Sequence, residues 1–468
     1  MHQYFTNILI SLINLVTSLY IIRELSSIDF GEYSFLISFV TIASYLGNFG
    51  FPGLMQKYLP KMSKKDSIVF SNQLLYIKMA FIFSISIILF SVNSFLTIIN
   101  PHYFLILLFI ILFNSINSFI LHSYFIIMLQ HSFVYKNLFL MAVLKLSIVF
   151  ILLRFNIFSI KNVLYLLLFY EGFLALLVLY KYNIYSYYKY FKLKNIFSDS
   201  IFFIKEKLFE LLFIPAFSII YLKTFYTLEE VAKYSFIISI SLLITGNVSI
   251  LSRIEVIINN IVISHGKADE HFYFINTIWY KFFLLVTIPA VSIIFINLHE
   301  ISHFIFNDKY ESVIFLLPIT ISFLFLSHIT YLYSSLIYLK NDLYVFSKNS
   351  FIAGISHLVL LFILGYLYSY IGAIIAFLLS YNIRALNLIL VYGNVVNLVD
   401  VAKSFIKILL IVSIVLSVIS KILIINNVLS LIGSSVILFI FIIFVLLNLK
   451  IFSKKEIDFI KQIKKEVK

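Results

Sequence analysis

The stretch YSFLIS at residues 33–38 recurs as YSFIIS at residues 234–239, with five of the six letters identical. The copies lie 201 residues apart, and each follows a short acidic stretch and opens a long apolar run. Chance is one explanation, because a few residue types dominate the chain. Internal duplication is the other, and it is favoured because the letters, the preceding loop and the following run all agree.

The composition around these copies decides the class of protein. Hydrophobic residues make up 62% of the 468 residues, charged residues make up 12%, and the mean hydropathy is +1.05. A soluble domain carries roughly a quarter charged residues, so this chain could not cover a soluble surface. Its apolar runs have the length of membrane-spanning helices and are too long and continuous for barrel strands. The sequence predicts an all-α integral membrane protein.

About fourteen apolar runs are long enough to cross a membrane as a helix. They lie near residues 4–22, 33–51, 74–98, 103–128, 138–156, 161–180, 201–222, 231–252, 272–296, 313–338, 345–368, 371–393, 403–424 and 428–449. The first run has neither a basic segment before it nor a small-residue cleavage site, so we expect a retained helix and not a signal peptide. The chain has no cysteine, which excludes disulfides and thiolate chemistry.

Basic and acidic residues fall in alternate loops. The lysine-rich segments lie around residues 57–65, 181–194, 340–348 and 450–468, and the acidic segments lie around 24–32, 229–230 and 300–311. By the positive-inside rule, this alternation predicts cytoplasmic termini at both ends and an even number of helices. It also accounts for the net charge of +14 without nucleic acid.

The repeat predicts the architecture. YSFLIS begins the second run and YSFIIS the eighth, and an offset of six helices restores the same orientation. We therefore expect two six-helix lobes related by a parallel pseudo-twofold repeat, plus a C-terminal helix pair. The predicted divisions are an N-terminal lobe at 1–180, a cytoplasmic linker at 181–200, a C-terminal lobe at 201–393, two extra transmembrane helices at 394–449 and a basic cytoplasmic tail at 450–468.

The linker carries interleaved tyrosine and lysine in YKYNIYSYYKYFKLKN, residues 180–195. Such a stretch could stack on and neutralise single-stranded RNA. The better interpretation is a helix in the membrane interface, with rings at the headgroups and lysines on anionic lipid. The tail has the same character, so membrane lipid is the expected partner of both segments.

Charges inside the apolar runs are the candidates for function, because each costs about 2.5–3.5 kcal/mol at the centre of a membrane helix. The densest group is Lys205, Glu206, Lys207 and Glu210 in IFFIKEKLFELLFIP. Glu206, Lys207 and Glu210 share one helical face. The group is either a self-neutralised network that eases insertion or a cavity wall, where lysines bind an anion and a glutamate takes up a proton or cation.

The other charges within runs are mostly basic. Lys145 and Arg384 lie about two turns or more from the ends of their runs and are the better cavity candidates. Arg154 and Lys281 lie near run ends, where we expect them to snorkel. Glu171 is the acidic counterpart. An excess of cations inside a bundle suits phosphate, which lysine and arginine both bind.

The letters HEISH at His299–His303 match the zinc-protease signature H-E-x-x-H, in which the histidines bind zinc and Glu300 would activate water. No later D-G pair or E-x-x-x-D supplies a third ligand, and an outer loop is expected to be polar. A membrane zinc protease stays an alternative, and no cofactor is predicted. No outer segment is long enough for the sugar-binding domain of a glycosyltransferase.

Three stretches resemble the multidrug/oligosaccharidyl-lipid/polysaccharide exporter superfamily, and within it the Wzx-type flippases of polysaccharide repeat units. They are RELSSIDFGEYS at Arg23–Ser34, VAKYS at Val231–Ser235 and IFNDKYESVIFLLP at Ile305–Pro318. The third stretch also makes HEISH the end of the preceding helix. Two sets of six helices plus a pair are similar to the fold of the drug exporters (MATE) of this superfamily.

The resemblance implies a transporter, not an enzyme. It would move an undecaprenyl-diphosphate-linked oligosaccharide across the bacterial inner membrane by alternating access, for O-antigen or capsule synthesis, beside a polysaccharide polymerase and a chain-length regulator. The predicted cationic cavity comprises Arg23, Lys145, Lys205, Lys207, Lys281 and Arg384, with Glu171, Glu206 and Glu210 for ion coupling. A cation-coupled multidrug exporter is the alternative, but such exporters keep an acidic residue in the first helix, and residues 4–22 have none. A lipid II flippase is closer in chemistry, but such flippases carry several arginines in their early helices, where this sequence offers Arg23.

Overall fold

In the computed structural model, the described part of the chain is mostly α-helix. The described residues are 2–48, 50–59, 62–96, 99–125, 127–128, 130–182, 204–248, 268–327, 333, 343–392, 397–419, 427–448, 451–453 and 456. The predicted interfacial linker and tail lie almost wholly outside these residues.

The first half of the chain contains helices α1 to α7. They are α1 (His2–Glu24), α2 (Ser27–Asn48), α3 (Phe51–Tyr58), α4 (Lys64–Leu96), α5 (Pro101–Phe119), α6 (His131–Arg154) and α7 (Ile160–Tyr182). A π-helical segment, Ile120–Phe125, continues α5.

The second half contains helices α8 to α16. They are α8 (Ile204–Leu212), α9 (Pro215–Phe225), α10 (Leu228–Val248), α11 (Ala268–Ile296), α12 (Leu298–Phe306), α13 (Leu316–Ser327), α14 (Leu343–Tyr392), α15 (Leu398–Ile419) and α16 (Val428–Asn448).

These helices confirm the predicted fold class. Within the described ranges, eight helices are long and apolar enough to cross a membrane, and α8 with α9 makes a ninth span if the bent pair is counted as one. Every predicted apolar run overlaps a helix, because run length decides which segments can satisfy their backbone groups in lipid. The chain is a multi-span helical membrane protein.

The repeat occupies equivalent places in two helices. Tyr33 is the seventh residue of α2, and Tyr234 is the seventh residue of α10. The serine and phenylalanine that follow each tyrosine are buried in both helices. The copies therefore agree in helical register and in the face that they bury, as a duplication predicts.

The chain packs as two compact units, Met1–Phe236 with Asp342–Ser380 and Ile237–Asn341 with Tyr381–Lys468. The first unit buries an aromatic core that includes Phe70, Phe119 and Phe125. In the second unit, α11 packs against α13, α15 and α16. These units are groups of residues that contact one another, and they are not the six-helix lobes predicted from the sequence. The predicted lobe boundaries stay a prediction.

Two details of the helices differ from the sequence prediction. The runs 345–368 and 371–393 lie in one long helix, α14, which is interrupted at Ser369 (φ 53°, ψ −129°). HEISH is not the end of the preceding helix, because α11 stops at Ile296 and Asn297 starts the separate short helix α12.

Close approach at the start of α2 requires glycine. Gly31 lies directly against the backbone of Leu228, the first residue of α10, where an added Cβ would overlap the Leu228 carbonyl group. The symmetry-equivalent residue of α10 is Ala232, which is fully buried. Small residues at both places allow the first turns of the two repeat helices to meet.

Candidate functional site

The predicted charged run is broken in the structure. Helix α8 ends at Leu212, α9 begins at Pro215, and the two axes differ by 44°. Proline has no N–H to donate and forces the preceding residue out of the helical region. Ile214 accordingly has an extended backbone, with φ −75° and ψ 150°. The bend therefore follows from the sequence at Pro215.

The charged residues of α8 lie just before this break. The Lys207 ammonium is 3.5 Å from Oε1 of Glu206 and also donates to Oε2 of Glu210. It lies 5.8 Å from the centre of the Tyr45 ring on α2. The structure thus brings three of the four predicted residues together against α2, while Lys205 on the same helix is exposed.

This Glu–Lys–Glu triad carries one positive and two negative charges. Lys207 already has two carboxylate partners, so an anion could bind it only if a carboxylate moved or took up a proton. Lys205 is exposed and is the cation of α8 that is open to an anion. The cluster suits a site that exchanges an internal ion pair for a bound anion.

A buried histidine joins the two sides of the break. His357 on α14 is fully buried. Its Nδ1 lies 2.5 Å from the carbonyl oxygen of Leu212, and its Nε2 lies 3.1 Å from Oγ of Ser218 on α9. One imidazole therefore contacts the last residue of α8 and the first turn of α9. The sequence analysis missed this residue.

The predicted residues Lys145 and Glu171 also lie near each other. The Lys145 ammonium is 5.7 Å from the Tyr170 ring centre, and its charge interacts with that of Glu171. Asn117 Nδ2 donates to the Glu171 carboxylate at 2.7 Å, and Asn114 Nδ2 donates to it at 3.4 Å. Helices α5, α6 and α7 therefore hold a carboxylate that accepts from amides within electrostatic reach of a lysine.

Lys78 on α4 is a buried cation outside the predicted site. Its ammonium donates to Asn48 Oδ1 at 2.6 Å and to Ser118 Oγ at 3.1 Å, and it lies 5.5 Å from the Phe119 ring centre. Two of the three ammonium donors therefore have acceptors, and the ring offers the charge a cation–π contact. Because α4 begins at Lys64 and not near residue 74, Lys78 lies well inside the helix.

The snorkelling prediction for Lys281 is wrong. Lys281 is buried, and its ammonium lies 2.9 Å from Oε1 of Glu456. The reason is twofold: α11 begins at Ala268, which places Lys281 inside the helix, and Glu456 from the C-terminal segment supplies a buried counter-charge. Arg154, in contrast, is exposed at the end of α6.

The remaining predicted cations occupy different surroundings. Arg23 is half-buried in the last turn of α1, 3.6 Å from the carboxylate of Glu24. Arg384 is half-buried on the second arm of α14 and belongs to the second unit, as does Lys281.

The HEISH histidines pair with carboxylates of the turn that follows α12. His303 Nδ1 lies 2.9 Å from Oδ2 of Asp308, and His299 Nδ1 lies 3.8 Å from Oε1 of Glu311. All four side chains are exposed. Nowhere in the described part of the chain do three or more His, Cys, Asp or Glu side chains form a group that could hold a metal ion.

A second polar cluster surrounds the interruption of α14. The hydroxyl of Ser369 donates to Glu230 of α10, and the same carboxylate lies 3.7 Å from the ammonium of Lys233. The hydroxyl of Tyr226 donates to the Gly365 carbonyl at 2.6 Å. These bonds fix the interrupted backbone of α14 to the start of α10.

Comparison with solved structures finds chains of similar fold. The lipid II flippase MurJ, in its inward closed conformation, is similar with a TM-score of 0.67 and 14% identity over 96% of this chain and 98% of that one. An inward-facing MATE multidrug transporter of the MOP superfamily is similar with a TM-score of 0.57 and 14% identity, over 82% of this chain and 95% of that one.

An outward-facing MATE transporter matches with a TM-score of 0.54 and 13% identity, over 86% of this chain and 94% of that one. No family model matches the chain, and no curated protein matches it in sequence. At these identities the likeness shows the fold alone, which the chain shares with these solved structures.

Proposed function

We propose that the chain is a flippase that moves an oligosaccharide repeat unit, linked to undecaprenyl diphosphate, from the inner to the outer leaflet of a bacterial inner membrane. The observation that carries this proposal is the likeness to a lipid II flippase over nearly the full length of both chains. Solved MATE transporters of similar fold are seen facing inward and facing outward, which supports alternating access here. Both termini would lie in the cytoplasm.

The chemistry of the buried charges supports an anionic headgroup. Lys78 lies among neutral acceptors and a ring. Lys145 lies against the Tyr170 ring with Glu171 within electrostatic reach, and Lys205 is exposed beside the α8 triad. A diphosphate satisfies such cations without a permanent carboxylate partner. Lys145, Lys205 and Lys207 are therefore the residues that would contact it in the first unit.

The triad also offers a route for coupling. When the diphosphate binds Lys207, Glu206 and Glu210 lose their internal partner, and a carboxylate without a cation in an apolar setting takes up a proton. Substrate binding and proton uptake would then occur together at α8. The substrate would reach a polymerase and a chain-length regulator in the outer leaflet, as implied for surface polysaccharide synthesis.

A charge-neutralised triple variant tests the proposal. Lys145→Gln, Lys205→Gln and Lys207→Gln together should abolish surface polysaccharide and cause lipid-linked sugar to accumulate in the inner leaflet, while the protein still inserts. The matched control, Lys136→Gln, Arg154→Gln and Lys161→Gln, removes three exposed positive charges and should retain polysaccharide.

Normal polysaccharide in the first triple variant would refute the site. Altered drug sensitivity with unchanged polysaccharide, after deletion of the protein, would instead favour multidrug export.

A further inference from the structure

The contacts of His357 determine its protonation. The Leu212 carbonyl oxygen can only accept, so Nδ1 of His357 carries a hydrogen and donates to it. Nε2 is then the lone-pair nitrogen, and the Ser218 hydroxyl donates to it. A neutral imidazole with the hydrogen on Nδ1 satisfies both contacts.

The break in the helix explains why the histidine is there. In an unbroken helix, the Leu212 carbonyl would accept from a backbone N–H of the next turn. Pro215 displaces that turn, and the imidazole supplies a donor instead. His357 therefore stabilises the bent form of α8 and α9, because it bonds to both sides of the bend.

The surroundings of the ring contain few charged groups. On α8, Glu206, Lys207 and Glu210 pair with one another, and the fourth charge, Lys205, is exposed. On α10, the phenol of Tyr234 lies beside Ser218. On the second arm of α14, the apolar ring of Phe377 lies 6.3 Å away. Among the described residues, no carboxylate forms an ion pair with the imidazole.

We propose that His357 is a proton-binding site that controls the bend between α8 and α9. This inference rests on the proposed transport function in one respect: the bend is taken to differ between the states of the transport cycle. It assigns the coupling ion as a proton and places its uptake on an imidazole, in addition to the glutamates.

The neutral and the protonated imidazole of His357 can both be hydrogen-bonded, but the two states differ in free energy. A proton on Nε2 turns that nitrogen into a donor, and the Ser218 hydroxyl rotates to accept from it. The Leu212 contact stays intact. The imidazolium is then a buried charge without a counter-ion at the ring, which is unfavourable. Protonation thus favours a conformation in which α8 moves and the ring reaches water or a carboxylate.

Spin labels on either side of the bend measure this change without any substrate. The chain has no cysteine, so Leu208→Cys and Thr224→Cys give two unique labelling sites, about 24 Å apart along the helices at 1.5 Å per residue. The full-length protein in lipid nanodiscs is measured by double electron–electron resonance between pH 4 and 8, because a buried imidazole without a counter-ion takes up its proton only at acid pH. We expect the distance distribution to shift as the pH is lowered.

The shift should disappear in His357→Gln, whose amide can donate to Leu212 but does not titrate. His357→Asn is the second variant, in case the longer amide does not fold. His303→Gln removes an exposed histidine as the matched control and should leave the shift intact. Distances that do not change with pH in the parent protein would overturn the proposal, and so would a shift that persists in His357→Gln.

The result is independent of the transported molecule. A normal pH response with no transport of lipid-linked sugar would refute the proposed substrate and leave the proton site standing. Transport of lipid-linked sugar with no pH response would support the proposed substrate and refute the proton site.

Discussion

The ammonium of Lys78 lies 2.6 Å from Oδ1 of Asn48, the last residue of α2. The C-terminal end of a helix carries a partial negative charge and unpaired carbonyl groups. The buried lysine therefore joins α4 to the end of α2 and, through Ser118, to α5. In the described part of the chain, no carboxylate lies within ion-pair distance of it.

This arrangement predicts an asymmetric mutant cycle. Asn48→Leu leaves a buried ammonium with one acceptor fewer, and we expect it to cost about 3 kcal/mol or more of stability. Lys78→Met removes the charge with its desolvation cost and should lose only about 1–2 kcal/mol. The double variant should be more stable than Asn48→Leu alone. Thermal unfolding in detergent measures all three, and equal losses for the two single variants would contradict the assignment.

Gly31 predicts a steric effect with an internal control. A Cβ at this position would overlap the backbone of Leu228, so Gly31→Ala should destabilise the protein by about 1–3 kcal/mol. Gly433 lies in helix α16 with nothing within 4 Å of an added Cβ, and Gly433→Ala should be neutral or stabilising by up to about 1 kcal/mol. Of the two variants, only Gly31→Ala should therefore have a lowered unfolding temperature.

At position 369, glycine should stabilise the protein more than alanine does, which is the reverse of the order at ordinary helix positions. Its φ of 53° lies in a region that favours glycine. Both Ser369→Ala and Ser369→Gly lose the hydrogen bond to Glu230, but only glycine relieves the backbone strain. We expect the glycine variant to be more stable by about 1 kcal/mol, as measured by thermal unfolding. An alanine variant that is more stable would show that the interruption of α14 is unstrained.

The pair of Lys281 and Glu456 predicts a dependence of α11 on the C-terminal segment. Either Lys281→Met or Glu456→Leu leaves one buried charge alone, which costs about 3–5 kcal/mol. The double variant should recover most of that loss, because it removes both charges. The matched control is Lys233→Met, whose ion pair with Glu230 is more exposed and should contribute less than about 1 kcal/mol. Additive losses in the Lys281/Glu456 cycle would argue against the pair.

The helices could be predicted because the length of an apolar run is a local property. The register of Tyr33 and Tyr234 could be predicted for the same reason, since a repeat compares short stretches. The bend before Pro215 also has a local signal, because proline interrupts the run at 201–222.

The partners of the buried charges could not be predicted in this way. Lys281 and Glu456 are 175 residues apart, and Ser218 and His357 are 139 apart, so only the packed chain brings them together. Lys78 was missed because an error in one helix boundary placed it near a helix end. His357 was missed because a single neutral histidine in an apolar run has no pattern around it.

The contact of Gly31 with Leu228 has a consequence for motion. Where helices meet through interdigitated side chains, separating them forces rotamers to change. At Gly31 the backbone of α2 meets the backbone of Leu228 directly, so at this one point the two helices can shift without a change of rotamer.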